Sequence, residues 1–230
     1  MKIVILTGAG MSVESGLATF RGGGGLWDNY PVEQVATPEG FAANPSLVLE
    51  FYNKRRKELL TTEPNKGHKL IAQLEREHRV VVITQNVDDL HERAGSTNVI
   101  HLHGELMKVC SSRNPNDIRY VSTLPSADTE IHIGDKAGDG SQLRPYIVWF
   151  GEAVPLMEEA VAALEDAEMF IIIGTSLNVY PAAGLLNYAP SGIPVYLIDP
   201  NEVEVHSRRN VVAIRKGASE GMQDIVDNFL

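Results

Sequence analysis

A glycine-rich segment near the start of the chain, TGAGMSVESG at residues 7–16, follows directly on the apolar run KIVIL. Glycines after a strand allow a tight turn and a close backbone approach to a phosphate, which the N–H groups of the next helix then face. The usual dinucleotide fingerprint has a third glycine where this chain has Val13. Because a strand precedes the glycines, the pattern favours phosphate binding over a simple tight turn.

Gln85, Asn86 and Asp88 form a second polar group, directly after the run RVVVIT. Their amides and carboxylate could bind hydroxyl groups, or they could form a polar turn that satisfies itself. A hydride-transfer enzyme would have an acidic residue at the end of this second strand. The amides found there argue against a dehydrogenase.

The remaining candidates for catalytic or binding residues are two histidines and a Tyr–Arg pair. His101 and His103 lie two positions apart, on one side of a predicted extended strand. Either could act as a base near neutral pH, and residue chemistry alone does not separate them. Tyr52 and Arg55 lie three positions apart on a predicted helix, so both could reach one anionic group or simply face solvent.

The elements that must position these residues are short, continuous apolar runs rich in β-branched residues. Such runs are typical of parallel strands covered on both faces, and helical patterns lie between several of them. The sequence therefore predicts an α/β fold with a doubly wound sheet. The predicted strands are residues 2–6, 79–84, 98–102, 146–150, 169–173, 194–198 and 211–214.

Two regions interrupt this alternation and predict a small second lobe formed by insertions. Residues 28–66 read as helices and loops broken by prolines, and residues 105–145 are polar with turn clusters. The remaining ranges, 1–27, 67–104 and 146–230, are assigned to the main nucleotide-binding domain.

Composition narrows the functional classes. The 230 residues are 43% hydrophobic and carry a formal net charge of −10, which argues against broad nucleic-acid binding. The first apolar run is too short for a secretory signal, and no run reaches membrane-spanning length. Cys110 is the single cysteine, which excludes an intrachain disulfide and suits a cytoplasmic protein.

The motifs GAGMSVESG, TFRG, TQNVDDLH, HLHG and GTSLNVYPAAG, in this order, resemble the sirtuins, the NAD-dependent protein-lysine deacylases. The resemblance implies a Rossmann-like sheet and NAD consumed as a co-substrate. The residues it places against NAD are Gly8, Ala9, Gly10, Ser12, Glu14, Gly16, Thr19, Phe20, Arg21, Trp27, Gln85, Asn86, Val87, Asp88, Gly174, Thr175, Ser176, Asp199, Pro200, Asn201 and Ala218.

The resemblance also assigns the catalytic base to His103, next to Gly104. In the family's reaction the acyl-lysine oxygen attacks the ribose carbon and expels nicotinamide, and the base then deprotonates ribose hydroxyls. The products are free lysine, nicotinamide and O-acyl-ADP-ribose.

Substrate contacts follow from the same resemblance. A peptide is expected to add as a strand between two segments, whose predicted contacts are Val148, Phe150, Gly151, Glu152, Asn178, Val179 and Tyr180. Tyr52 and Arg55 match the pair with which class III sirtuins bind acyl groups that end in a carboxylate, and Gly23 leaves room for a longer chain. Desuccinylase and demalonylase activity is therefore expected, with activity on acetyl-lysine retained.

The chain departs from the family at the structural zinc site. Sirtuins usually carry two Cys-x-x-Cys pairs, whereas this chain offers Cys110 and, further along, His132. A tetrahedral site needs four ligands, so we expect no structural zinc and a small lobe held by packing. The expected partners are acylated lysine side chains of proteins. Binding to nucleic acid or to membranes is not expected, and the protein is expected to be a monomer. The alternatives are a protein ADP-ribosyltransferase and a non-catalytic NAD-binding regulator.

Overall fold

The computed structural model describes residues 1–18, 29–205 and 210–230. Within these ranges the strands are β1 Lys2–Thr7, β2 Arg79–Thr84, β3 Val99–His101, β4 Gly104–Ser111, β5 Ser122–Thr123, β6 Leu143–Ile147, β7 Met169–Ile173, β8 Val195–Ile198 and β9 Val211–Ile214. The α-helices of the same ranges are α1 Val32–Val35, α2 Pro38–Ala43, α3 Pro45–Leu60, α4 Lys66–Leu74, α5 Leu90–Ala94, α6 Met157–Leu164 and α7 Ala218–Asn228.

The main sheet is parallel throughout, in the order β3-β2-β1-β7-β8-β9. The strand order reverses between β1 and β7, so the loops after these two strands leave the sheet side by side. Open α/β sheets bind their ligands at such a switch point. The predicted doubly wound α/β fold is confirmed.

Apolar side chains cover both faces of this sheet. Along β1, Val4 and Leu6 pack in the core cluster that contains α6, while Ile3 and Ile5 pack with α4 and α7. All four side chains are fully buried. Burial on both faces explains why the strand reads as one continuous apolar run.

A second, antiparallel sheet has the order β5-β4-β6. Assigning residues 146–150 to the parallel sheet was wrong, because the strand there is β6 and it pairs with β4. The prediction that residues 105–145 form a polar region with turns missed strand β4, whose side chains alternate irregularly between buried and half-buried.

Helix α3 packs against this second sheet. The side chain of Asn44 caps the helix by accepting a hydrogen bond from the N–H of Leu47, and Pro45 occupies the first turn. Tyr52 and Trp149 share one core cluster, which joins the helix to the segment after β6. The division into a main domain and a small lobe stays a prediction.

Within the described ranges, no helix combines the length and the apolarity that crossing a bilayer requires.

Candidate active site

The loops that follow β1 and β7 meet at the switch point. The N–H of Gly8 donates to the carbonyl of Ile173 (2.9 Å), and the N–H of Gly10 donates to the carbonyl of Gly174 (2.8 Å). A Cβ atom at Gly10 would lie 2.6 Å from Cα of Gly174. Loop–loop contact therefore requires these glycines, a reason that differs from the phosphate approach predicted from the sequence. The N–H of Ala9 has no acceptor among the described residues, and it stays available to an anion.

The glycine segment continues as two 3₁₀ turns, Ala9–Met11 and Val13–Ser15, and not as the helix predicted to begin there. The turns end at Gly16, whose φ of 94° is left-handed. The carboxylate of Glu14 accepts a hydrogen bond from an N–H in the first turn of α7 (3.1 Å). Ala218, which begins α7, is buried, so Glu14 and Ala218 connect this helix to the glycine segment.

A buried polar cluster joins the loops after β1 and β2. The hydroxyl of Ser12 donates to Oδ2 of Asp88 (2.9 Å), and the side-chain amide of Asn86 donates to the carbonyl of Gly8 (3.0 Å). Burial raises the pKa of Asp88, although the Ser12 hydrogen bond opposes the shift. The structure thus brings together four predicted NAD contacts from two loops.

The loop after β2 also contacts the loop after β7 and the second sheet. The amide of Gln85 donates to Oγ1 of Thr175 (3.0 Å), while the adjacent Ser176 is exposed. The carbonyl of Val87 accepts from the N–H of Leu106 in β4 (2.7 Å). The predicted contacts Gln85, Val87, Thr175 and Ser176 therefore lie along one edge of the main sheet.

Among the described residues, His103 has a partner for one ring nitrogen and none for the other. Nδ1 lies 3.0 Å from the carbonyl oxygen of Gln85. A carbonyl only accepts, so Nδ1 carries the proton and Nε2 is the basic nitrogen. The main-chain carbonyl of His103 accepts from the N–H of Val148 (2.9 Å), which fixes the backbone as well. Burial lowers the pKa of His103, so at neutral pH the ring is the neutral base that proton abstraction requires.

His101 differs because acceptors face both of its nitrogens. Nε2 lies 2.6 Å from Oε1 of Glu92, and Nδ1 lies 3.3 Å from the carbonyl of Asn86. Burial is the largest single effect and disfavours the charged ring, but the hydrogen bond and charge of Glu92, together with Glu105 and the Asn86 carbonyl, outweigh it, so the pKa of His101 is raised. The predicted common strand is wrong: β3 ends at His101, and His103 lies in the turn before Gly104.

Tyr52 and Arg55 are neighbours on α3. Tyr52 is buried, and its Oη accepts a hydrogen bond from Nε1–H of Trp149 (2.9 Å). The guanidinium carbon of half-buried Arg55 lies 5.9 Å from the centre of the Tyr52 ring. Burial lowers the pKa of Arg55, while Tyr52 and Asp88 act in the opposite direction. Asp88 belongs to the polar cluster of the predicted NAD site, so its electrostatic effect on Arg55 links the Tyr52–Arg55 pair to that cluster.

The first predicted peptide segment follows β6. Phe150 is 46% exposed, and Gly151 has a φ of 89°. The Glu152 carboxylate binds the guanidinium of Arg144 through two bonds, of 2.7 and 3.0 Å, and accepts the N–H of Trp149 (2.8 Å). Glu152 is therefore engaged within the protein, although it was predicted to contact substrate.

The second predicted peptide segment follows β7. Asn178 and Tyr180 are exposed, while Val179 between them is half-buried, and its carbonyl accepts from the N–H of Ala183 (2.9 Å). In the described part of the chain, neither this segment nor residues 148–152 belong to a strand. Their use as a strand-addition site stays a prediction.

The predicted adenosine contacts lie where β8 ends. Oδ1 of Asp199 accepts the N–H of Asn201 (2.8 Å), which closes a tight turn through the exposed Pro200. The N–H of Gly174 donates to the carbonyl of Ile198 (2.9 Å), so this turn neighbours the loop after β7. The predicted contacts that lie outside the described residues are Thr19, Phe20, Arg21, Gly23 and Trp27.

Sequence reasoning overlooked Glu92, Arg144 and Trp149, which hold predicted site residues in place. Trp149 offers the only advance signal, since a tryptophan in an apolar run needs an acceptor for its N–H when buried. Glu92 and Arg144 read as ordinary charges, because their partners are set by the fold.

The lone cysteine is buried and keeps its proton at neutral pH. Cys110 is buried, its thiol lies 3.7 Å from the carbonyl of Pro145, and burial raises its pKa to about 12. Nearby, the carboxylate of Asp139 accepts from the hydroxyls of Ser111 (2.6 Å) and Ser141 (2.7 Å). Among the described residues, no group of three or more His, Cys, Asp or Glu is arranged to hold a metal ion.

The sequence model of the Sir2 family matches residues 8–181, from the glycine loop after β1 to the segment after β7. The chain therefore belongs to the Sir2 family, as the motifs predicted.

Individual relatives agree with this placement. An NAD-dependent protein deacylase of Bacteroides thetaiotaomicron is 63% identical, over 97% of this chain and 96% of its own length. A Sir2 homologue solved with NAD is 40% identical with a TM-score of 0.87, covering 98% of this chain and 88% of its own. A mutant Sir2 homologue in complex with 2′-O-acetyl ADP ribose is 39% identical with a TM-score of 0.86, covering 98% and 90%.

Proposed function

We propose that this chain is an NAD-dependent protein-lysine deacylase that removes acetyl groups and also acyl groups ending in a carboxylate, such as succinyl and malonyl. NAD-dependent deacylation is the activity that its relatives carry in their names. The observation that carries the proposal is His103, whose basic Nε2 has no partner in the part of the chain that the structure describes and lies beside the polar cluster at the switch point.

The residues at the switch point suit a dinucleotide. The Ala9 N–H is available to a phosphate, and Gln85, Asn86 and Asp88 offer polar groups for ribose hydroxyls and a carboxamide. The two glycine loops touch so closely that side chains there would separate them. When bound, NAD would supply the ribose carbon and the nicotinamide leaving group. The protein would position the two substrates and hold the accepted proton at Nε2 of His103.

The preference for an acidic acyl group rests on Tyr52 and Arg55. Arg55 is charged at neutral pH, and a guanidinium suits a carboxylate. Burial raises the pKa of Tyr52, so its phenol stays a hydrogen-bond donor. Hydrogen bonds to a charged group contribute roughly 1.5–3 kcal/mol, enough for about 10–100-fold discrimination between acyl groups.

The test is nicotinamide release from NAD, with one peptide carrying either succinyl-lysine or acetyl-lysine. Wild type should prefer the succinyl peptide, and Tyr52→Phe and Arg55→Met should each reduce that preference about 10-fold or more. Lys57→Met is the matched control, because it removes a charge from an exposed side chain of the same helix. This control should keep the wild-type ratio.

The remaining outcomes separate the alternatives. Equal turnover of both peptides, unchanged in the variants, would leave a deacetylase without acidic-acyl preference. A peptide product that gains the mass of ADP-ribose would indicate a protein ADP-ribosyltransferase. NAD binding without nicotinamide release would indicate a non-catalytic regulator.

Acylated lysine side chains of proteins are the proposed substrates. The charge of −10 supports a protein without nucleic-acid partners. The expectations of a monomer, of no membrane partner, of a cytoplasmic location and of a separate small lobe remain proposals.

A further inference from the structure

We infer that Trp149 sets acyl specificity by orienting the hydroxyl group of Tyr52. In this assignment its indole N–H occupies the acceptor side of the phenol oxygen and leaves the O–H directed at the substrate carboxylate. The inference rests on the proposed acidic-acyl activity and adds a positioning residue that acts through Tyr52.

The contact between the two side chains is direct and shielded from water. Nε1 of Trp149 lies 2.9 Å from Oη of Tyr52, and the relative exposures of the two residues are 2% and 1%. An indole N–H only donates, so the phenol oxygen must be the acceptor in this bond.

The donor role of Tyr52 follows from phenol geometry. The O–H bond of a phenol prefers the ring plane, which offers one position on each side of the oxygen. With the indole N–H on one side, the hydroxyl hydrogen turns to the other. Among the described residues, no group accepts a hydrogen bond from this hydroxyl. A buried donor without an acceptor costs free energy, and a substrate carboxylate would remove that cost.

Trp149 is itself held rigidly. The guanidinium carbon of Arg144 lies 3.4 Å from the centre of the Trp149 ring, and Arg144 is fixed by two bonds to Glu152. Glu152 also accepts the main-chain N–H of Trp149 (2.8 Å). Both the ring and the backbone of Trp149 are therefore fixed, which is what orienting another side chain requires.

The inference predicts an effect that depends on the acyl group. An acetyl group has no carboxylate to accept the Tyr52 hydrogen bond. Loss of the indole N–H should therefore impair turnover of succinyl-lysine and leave acetyl-lysine nearly unchanged. A purely structural role of Trp149 would impair both substrates equally.

The experiment replaces Trp149 with 3-benzothienylalanine, introduced at this one position, which keeps the two-ring shape and substitutes sulfur for the N–H. Trp149→Phe is a second variant, and thermal melting checks the folding of both. Each replacement is made in wild type and in Tyr52→Phe, and kcat/KM is measured with succinyl and acetyl peptides.

The benzothienyl variant should lose about 5–10-fold in kcat/KM for succinyl-lysine and stay within about 2-fold for acetyl-lysine. In the Tyr52→Phe background it should cause no further change in the ratio. The inference would be overturned if the benzothienyl variant lost kcat/KM equally on both peptides. It would also be overturned if the variant changed the succinyl-to-acetyl ratio as strongly in Tyr52→Phe as in wild type.

Failure of the inference differs from failure of the proposed activity. If wild type prefers succinyl through Tyr52 and the benzothienyl variant keeps that ratio, only the role of Trp149 is wrong. If wild type shows no succinyl preference, the acidic-acyl proposal and this inference are both overturned.

Discussion

At the scale of single residues, hydrogen-bond partners separate two histidines that the sequence left equivalent. Within the described ranges, His103 faces one carbonyl and its other nitrogen has no partner, whereas His101 faces a carbonyl and the carboxylate of Glu92. The partner Glu92 lies nine positions away from His101 on another element, and no local pattern indicates that pairing. The role of His103 was predicted from the HG motif and stays a prediction; the hydrogen-bond geometry that supports it depends on the fold.

His103 should govern the acid limb of the pH profile. Burial holds its pKa below the ordinary 6.5, so kcat/KM should fall with decreasing pH only below about pH 6.5. His103→Ala should lower kcat/KM about 10²–10⁴-fold. Steady-state kinetics from pH 5 to 8 would check both effects.

His132→Ala provides the control, because this histidine is largely exposed and lies outside the site. Its profile should match wild type. A full rate with an unchanged acid limb in His103→Ala would assign the base elsewhere.

At the scale of elements, apolar runs predicted the strands of the main sheet well and one strand of the second sheet poorly. The bounds of β2 and β7 equal the predicted ones, because strands covered on both faces form unbroken apolar runs. The bounds of β9 also equal the predicted ones, although this edge strand is partly exposed. Residues 146–150 show the same apolarity, yet their core is shared with α3 and not with the parallel sheet. Strand β4 contains a register shift between Gly104 and Val109, so its sequence has no regular alternation.

The second sheet should depend on Asp139. Its carboxylate accepts hydrogen bonds from Ser111, Ser141 and Asn114, and the Ser111 bond is the largest cause that lowers its pKa. Asp139→Asn should therefore lower the stability of this region, since an amide replaces one acceptor oxygen by a donor. Hydrogen exchange should become faster in residues 111–141.

The pH dependence of this contribution has a definite sign. Because the pKa of Asp139 is lower in the folded protein than its ordinary value of 3.8, the ionised carboxylate stabilises the fold at pH values above 3.8. This stabilisation is lost as the pH falls and the carboxylate takes up a proton. Asp128→Asn, at an exposed position in the same stretch of chain, should leave exchange unchanged. Unaltered exchange in Asp139→Asn would show that packing alone holds the region.

At the scale of the whole molecule, a buried histidine pair makes stability depend on pH. His68 and His91 lie with ring centres 4.8 Å apart, and Nε2 of His91 lies 3.1 Å from Oγ1 of Thr7 in β1. Burial lowers the pKa of His68 to about 4, against smaller opposing effects of Glu14 and Glu92. Burial also holds the pKa of His91 well below 6.5.

The folded protein should consequently lose stability as pH falls below 6.5. There the unfolded chain binds protons that the folded chain does not, and His68 alone should lower the free energy of unfolding by about 2 kcal/mol between pH 7 and pH 5. Urea unfolding at the two pH values would measure the difference.

His68→Leu removes one titrating group and should reduce this pH dependence by about that amount. Serine-to-alanine replacement at the exposed Ser126 should leave it unchanged. Equal pH dependence in wild type and His68→Leu would contradict the assignment.

The state of Cys110 has a practical consequence for following this molecule by spectroscopy. The single thiol of the chain is buried and carries a pKa of about 12, so it reacts slowly with maleimides at neutral pH. A cysteine introduced at Ile118, which is 81% exposed beside the second sheet, would therefore label selectively without removal of the native cysteine. A fluorophore or spin label at that point would report, on the unaltered background, how this region responds when NAD and acylated peptide are added.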